Sequence, residues 1–205
     1  MNATIKSSLE RSMSYQSYRA LVKQLAEDNS NTGLEKTKTY AHYTKLNDKR
    51  MKRWDKTVKV SKAALKRIAE FQHKITWLVI TESWCGDAAH VIPVLNKIAV
   101  LNTNITLRLV LRDVSPELMD DFLTNGNRSV PKVICIDDET GEVIHTYGPR
   151  PTEATNYVKR FKARHGALTP DFKADLQHWY NGDKGQNVIE DVTQFLSLLE
   201  PSVYQ

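Results

Sequence analysis

One cysteine lies where an apolar, β-branched stretch gives way to a helical pattern. Ile75–Ile80 predicts a buried strand, and Cys85 precedes a helix predicted from about Ala88 to Val100. A cysteine at a helix start faces unpaired backbone N–H groups and the positive end of the helix dipole, and both stabilise a thiolate. We therefore expect Cys85 to be a partly exposed, catalytic nucleophile.

The titratable neighbours of this cysteine modify that expectation. Asp87 lies in the first helical turn, where it favours the helix but opposes a thiolate, so we expect the Cys85 pKa only modestly below that of a free thiol. Glu82 is either an acid or base for the thiol or a solvated loop carboxylate. His90 is interpreted as a surface or rim residue. Since Cys85, Asp87 and His90 do not share one helical face, we predict no metal site.

Strand and helix patterns alternate around the cysteine. After the helix that follows Cys85, the sequence predicts a strand, a short helix, a hairpin introduced by Pro131, and a helix that begins after Pro151. The predicted strand covers residues 105–111, the short helix residues 116–124, the two strands of the hairpin residues 132–136 and 142–147, and the last helix residues 152–164. Helical spacing of apolar residues also predicts helices at about 15–25, 34–54 and 61–71 before this unit, and at 172–179 and 189–199 after it.

Three features of this unit resemble the thioredoxin superfamily. The strand runs into Glu82-Ser83-Trp84-Cys85-Gly86, Pro93 lies eight residues after the cysteine, and Arg128-Ser129-Val130-Pro131 precedes the hairpin. The resemblance implies a cis peptide before Pro131, and a backbone at Val130 that is free to pair with an extended peptide. It also implies a substrate groove formed by the residues Trp84, Gly86, Asp87, Val130 and Pro131.

The fold class expected from the resemblance is α/β. It is a thioredoxin-like three-layer fold with a central mixed sheet, plus helical extensions at both ends. We expect residues 1–58 to form an N-terminal helical extension packed on the core, residues 59–166 the thioredoxin-like domain, and residues 167–205 a C-terminal helical extension.

The sequence departs from a dithiol oxidoreductase at two positions. Ala88 stands where the second, resolving cysteine would be, and Val79 stands where the family carries a buried acid. The other cysteine, Cys135, lies about 13 Å along a strand from Pro131, which is too far for a disulfide with Cys85. We interpret Cys135 as a small buried hydrophobe.

Two functions therefore stay open. In the first, Cys85 exchanges with a disulfide and an external thiol such as glutathione resolves the intermediate, so the partner is a protein or a low-molecular-weight thiol or disulfide. In the second, catalysis is lost and the groove binds a peptide or protein. The retained cysteine favours the first, whereas Ala88 and Val79 favour the second.

Composition indicates the cellular compartment of the protein. Two cysteines in 205 residues are typical of a reducing compartment. The sequence has neither an apolar run of about 18 residues nor an apolar signal segment, so we expect a soluble cytoplasmic protein without a membrane partner. We expect no cofactor.

Residues 36–56 carry eight Lys or Arg against two Asp, a charge of +6. A solvated helix face explains this basic run better than nucleic-acid binding does.

Overall fold

A computed structural model describes residues 1–199. Within this part of the chain, four strands form one mixed sheet in the order β2-β1-β3-β4. Strand β2 is parallel to β1, whereas β3 is antiparallel to both β1 and β4. The strands are β1 (Ile75–Thr81), β2 (Ile105–Leu111), β3 (Lys132–Asp137) and β4 (Val143–Tyr147).

Helices surround this sheet. A short 3₁₀ turn at Arg112–Val114 follows β2. The α-helices are α1 (Ala3–Arg11), α2 (Tyr15–Glu27), α3 (Lys38–Thr57), α4 (Lys62–Glu70), α5 (Gly86–Ala99), α6 (Pro116–Asp121), α7 (Thr152–His165), α8 (Pro170–Asp183) and α9 (Gln186–Leu199).

The strand that leads to the cysteine is central in the sheet. Six of the seven residues of β1 are buried, because helices cover both of its faces. Helix α5 follows it, includes Pro93 and is apolar around most of its circumference. A helix with apolar residues all round must be buried, and α5 packs against α3, α9 and β2.

The N-terminal helices pack on this core. Met51 and Trp54 of α3 and Tyr18 of α2 are buried in the same apolar cluster as β1. The backbone of Met13 also exchanges two hydrogen bonds with Leu109, at 2.8 and 2.9 Å. One residue of the N-terminal segment therefore extends the sheet at the β2 edge, where unpaired backbone groups would otherwise remain.

The C-terminal helices divide between two cores. Val192 and Leu196 of α9 belong to the main apolar cluster, whereas Val158 of α7 packs with Phe172 and Leu176 of α8 in a second, smaller one. Hence a helix from the predicted C-terminal extension, α9, contributes to the main core. Residues 200–205 of that predicted extension lie outside the described residues.

The mixed sheet with flanking helices confirms the predicted thioredoxin-like α/β fold class. Strand β2 has the predicted bounds, whereas α3 begins at Lys38 instead of residue 34 and α6 ends at Asp121 instead of residue 124. Helix α1 was not predicted. In the described part of the chain, no helix has the length and apolar character needed to cross a membrane.

Candidate functional site

Cys85 lies at the N-cap of α5, beside the loop that enters β3. Its Sγ donates a hydrogen bond of 3.1 Å to the backbone oxygen of Val130. The peptide between Val130 and Pro131 is cis, as predicted. The structure thus brings Cys85, Val130 and Pro131 together, but the Val130 carbonyl is not free, because it accepts the thiol hydrogen.

The thiol of Cys85 is buried and protonated. The residue is 8% exposed, and burial raises the pKa of Cys85 to about 12, with a further contribution from the Asp87 carboxylate. The backbone N–H of Ala88, the Arg150 guanidinium and the backbone N–H of Asp87 lower the pKa, but by less. The expectation of a partly exposed thiol with a modestly lowered pKa is therefore wrong. The increase in pKa caused by burial is larger than the decrease caused by the N-terminus of α5.

Asp87 is held by groups from outside the predicted motif. Its Oδ2 pairs with Arg150 Nη2 at 2.7 Å, and its Oδ1 accepts a hydrogen bond of 2.9 Å from the Tyr180 hydroxyl. Burial raises the pKa of this carboxyl, while Arg150 opposes the shift. The first turn of α5 is therefore tied to α8 and to the segment before α7.

His90 is a buried, neutral side chain. Its Nδ1 accepts a hydrogen bond of 2.8 Å from Trp54 Nε1, and its Nε2 lies 2.9 Å from Gln177 Oε1. Because the indole can only donate, the imidazole proton is on Nε2, from which it is donated to Gln177. The ring also stacks on Tyr180 at 4.3 Å, and burial lowers the pKa of His90 to about 3. The prediction of a surface or rim position for His90 is wrong, because α3 and α8 cover it.

Glu82 is buried as well, not solvated. One carboxylate oxygen accepts the backbone N–H of Asp113 at 3.0 Å, and the other accepts the Thr32 hydroxyl. Burial raises the pKa of Glu82, and these two hydrogen bonds oppose the shift. Its hydrogen bonds join the loop before α3 to the segment after β2. An acid–base role for Glu82 stays a prediction, and these contacts favour a positioning role.

Trp84 lies in a stack of three side chains. Its ring packs on Tyr40 with centroids 4.8 Å apart, and the Arg112 guanidinium lies 4.8 Å from the ring centroid. Its Nε1 is buried and has no hydrogen-bond partner among residues 1–199. This stack fixes the wall of the site next to the cysteine.

Gly148 sets the distance between the two loops that border the site. It has φ +107°, and a Cβ at this position would overlap the Pro131 carbonyl oxygen. Only glycine permits both this backbone conformation and this close approach. The segment that carries Arg150 is thereby held against the loop of Val130 and Pro131.

An open groove of about 610 Å³ begins at Cys85. Its walls come from α3, the head of α5, the loop before β3 and helix α8. The predicted residue Pro131 does not line the groove. The lining includes the predicted residues Trp84, Cys85, Gly86, Asp87 and Val130, and also Tyr40, Tyr43, Arg50, Arg112, Arg128, Ser129, Pro149, Arg150, Leu168, Pro170, Lys173, Ala174, Leu176 and Gln177. Several of these residues come from α3 and α8, outside the unit in which the sequence predicted the site.

Cys135 is remote from this groove. It is buried on β3, where it lines a small apolar cavity with Trp77 and His145, and burial raises its thiol pKa to about 12. Both cysteines are free. Among residues 1–199, no group of three or more His, Cys, Asp or Glu side chains is placed to hold a metal ion.

Comparison with known families identifies the class of protein. A family model described as thioredoxin matches residues 33–162, which is more than half of the chain. The chain therefore belongs to this family of the thioredoxin superfamily. A comparison with curated proteins finds no match.

Two solved structures share the fold. One is a protein of unknown function, PA1234 from Pseudomonas aeruginosa, with a TM-score of 0.61 and 17% identity over 92% of this chain and 99% of that one. The other is an HIV epitope scaffold, with a TM-score of 0.58 and 17% identity over 92% of this chain and all of that one (100%). At this identity the likeness concerns the fold alone. It extends over most of both chains, and so beyond the residues that the family model matches.

Proposed function

We propose that this protein is a thioredoxin-like binding module, which holds an extended peptide or protein segment in the groove beside Cys85. The observation that carries the proposal is the 3.1 Å hydrogen bond from Cys85 Sγ to the Val130 oxygen at one end of the open groove. The thiol is engaged as a structural donor there. The groove beside it is accessible to a ligand.

The chemistry of the thiol disfavours exchange as the main activity. With a pKa of about 12, Cys85 is almost entirely protonated at neutral pH. The higher intrinsic reactivity of a basic thiolate compensates only in part, so we expect exchange about 100-fold slower than for a free cysteine. Ala88 supplies no resolving thiol, and Cys135 does not line the groove.

Single-thiol exchange is the second candidate, because the groove reaches Cys85 and backbone N–H groups of α5 lower its thiol pKa. In this reaction Cys85 loses its proton to solvent and its sulfur attacks a disulfide. The disulfide bond breaks, and the leaving thiolate takes up a proton. A second, external thiol such as glutathione then attacks the mixed disulfide, which restores the Cys85 thiol and forms a new external disulfide.

Binding is tested with an array of cysteine-free octapeptides of varied composition. Ala174 is exposed and lines the groove, so Ala174→Trp fills the groove without disturbing the core. His178→Trp is the matched control, because His178 is exposed on the same helix but does not line the groove. We expect binding by the wild type, His178→Trp and Cys85→Ser, and its loss in Ala174→Trp. An array that binds no wild-type protein, or binds Ala174→Trp equally, would overturn the proposal.

Mass spectrometry separates the two candidates. Wild type and Cys85→Ser are incubated with oxidised glutathione at pH 7.5, and the intact masses are followed over time. For a binding module we expect the Cys85 adduct to form about 100-fold more slowly in the folded protein than in the unfolded one. Rapid formation of a Cys85 adduct that a second thiol clears would support exchange instead.

A further inference from the structure

Two cations that line the groove, on different helices, form no salt bridge among residues 1–199. They are Arg50 of α3 and Lys173 of α8. The other basic side chains of the lining are paired: Arg150 with Asp87, Arg112 with Asp113 and Arg128 with Asp120.

The lining as a whole is positive. It has five cationic side chains (Arg50, Arg112, Arg128, Arg150 and Lys173) against one carboxylate, Asp87. Asp113 and Asp120, the partners of two of these arginines, do not line the groove. A concave surface of one sign concentrates ligands of the opposite sign.

Arg50 is the most informative of these residues. It is half-buried, and its Nη1 donates a 2.8 Å hydrogen bond to the neutral Asn47 side chain. Burial lowers the pKa of Arg50 and nearby Arg53 lowers it further, while the Asp87 carboxylate raises it by less. The Asp87 carboxylate attracts this guanidinium but forms its salt bridge with Arg150, so the burial of Arg50 is compensated only in part. An anion beside Arg50 would restore the lost stabilisation.

Arg50 also reaches the head of α5. A Cβ added at Gly86 would lie 3.6 Å from Arg50 Nη1 and 3.6 Å from the Gln177 amide nitrogen, so two side-chain donors converge on this glycine. Tyr40, Tyr43 and Leu168 provide apolar contact along the same groove. The groove is therefore larger and less polar than a single small anion requires, and it suits a chain with both acidic and apolar side chains.

We propose that the partner of this groove is an acidic peptide segment, bound in extended form, with carboxylates paired to Arg50 and Lys173. Its backbone lies beside Ser129 and Val130. This inference rests on the proposed function and adds the chemical class of the partner.

The test compares two matched sets of fluorescent, cysteine-free octapeptides. One set has Asp or Glu at alternate positions, and the other has Asn or Gln at those positions. Dissociation constants are measured by fluorescence anisotropy for the wild type and the variants. We expect the acidic set to bind at least about tenfold more tightly, and rising salt to weaken that set selectively.

Arg50→Met should weaken binding of the acidic set about tenfold and leave the amide set unchanged, while Arg50→Lys should restore part of the preference. Arg53→Met is the matched control, because Arg53 is on the same helix, donates to Asn181 and does not line the groove. Lys173→Ala is an independent variant at an exposed position, so its effect does not depend on the fold tolerating a change at Arg50.

The outcomes distinguish failure of the acidic partner from failure of peptide binding itself. Equal affinity for the two sets, or a preference for acidic peptides that survives both Arg50→Met and Lys173→Ala, overturns the acidic partner but leaves peptide binding intact. Failure of both sets and of the peptide array removes the proposed function as well. Tighter binding of a single-stranded oligonucleotide, lost in the same variants, overturns the inference in favour of a nucleic-acid ligand.

Discussion

The indole nitrogen of Trp54 donates a 2.8 Å hydrogen bond to Nδ1 of His90. It joins helix α3, from the N-terminal region, to the helix that begins at the cysteine. On the other side of the imidazole, Nε2 donates to Gln177 of α8. The site helix is thus held between the N-terminal and C-terminal parts of the chain through one neutral histidine.

This histidine should make the protein sensitive to acid. Its pKa is about 3 in the folded state, against about 6.5 in an unfolded chain. Below pH 6.5 the unfolded state therefore binds the extra proton, and the free energy of unfolding falls by up to about 1.4 kcal/mol per pH unit until pH 3. The stabilisation is fully present above pH 6.5 and is lost as the pH decreases.

Urea denaturation at pH 7 and pH 4.5 measures this loss. We expect the wild type to lose about 2 kcal/mol more than His90→Asn over this interval. Both proteins contain the same carboxyl groups, so the contribution of these groups to the loss of stability cancels when the two losses are subtracted. His178→Asn, at an exposed position, should behave as the wild type does. Equal losses for the wild type and His90→Asn would show that His90 is not a buried neutral residue.

Alkylation of Cys85 should be slow at neutral pH and accelerate with alkali. Since burial raises the thiol pKa to about 12, the thiolate fraction grows about tenfold per pH unit across the range in which the protein is folded. Iodoacetamide labelling, with Cys85 and Cys135 separated by peptide mass spectrometry, follows the rate. A plateau with a midpoint below about 8.5, the value of a free thiol, would contradict the buried, protonated state.

Asp87→Asn should accelerate this alkylation. The Asp87 carboxylate is the second-largest cause of the raised Cys85 pKa, and the amide removes its charge while it keeps an acceptor for Tyr180. We expect an increase of up to about tenfold at pH 8, equivalent to about one pH unit. Asp171→Asn, an exposed change on α8, is the control. An unchanged rate would mean that Arg150 already cancels the effect of Asp87 on the thiol.

The elements around the cysteine could be predicted because their signals are local. The stretch Ile105–Leu111 gave the observed bounds of β2, and Pro131 marked the start of β3. The cis peptide before Pro131 was implied by the resemblance to the thioredoxin superfamily. Each of these signals depends on residues close in sequence. Hydrophobic periodicity and the turn residues of the hairpin are therefore sufficient to predict these strands.

The environment of the cysteine could not be predicted in this way. His90 is covered by α3 and α8, and Cys85 is in contact with Val130, so residues distant in sequence decide the exposure of both. Spacing within α5 does not show which faces these residues cover. Arg50 was one of eight basic residues in a run that was interpreted as a solvated face. Only the tertiary packing distinguishes it from Arg53, its neighbour on the same helix.

The division of the chain at residues 59 and 166 leads to a prediction about folding. Trp54 of α3 and Val192 of α9 are buried in the same cluster as β1, so both ends of the chain contribute to one core. We expect the full chain to unfold in one cooperative transition, with coincident far-UV circular dichroism and tryptophan fluorescence curves. A chain limited to residues 59–166 should not fold stably. Separate transitions in the full chain, or cooperative unfolding of the isolated segment, would show that the core folds without the N-terminal and C-terminal helices.

Gly148 offers a test of how the two loops at the site are held together. Gly148→Ala places a methyl group against the Pro131 carbonyl at a φ of +107°, so it combines a backbone penalty with a steric overlap. Gly166→Ala is the matched control, because Gly166 has a φ of +76° and no atom within 4 Å of an added Cβ. Gly166 has a ψ of −49°, outside the left-handed helical region, so we expect the control to lose about 2 kcal/mol of stability from the backbone conformation alone.

For Gly148→Ala the expected loss is about 3 kcal/mol or more, because the overlap can be relieved only by separating the loops. That separation should weaken the contacts of Cys85 with Val130 and of Arg150 with Asp87. Cys85 alkylation should then be faster in Gly148→Ala than in Gly166→Ala, even where both proteins are still folded by circular dichroism. Equal stability and equal labelling of the two variants would show that the contact between Gly148 and Pro131 does not hold the site closed.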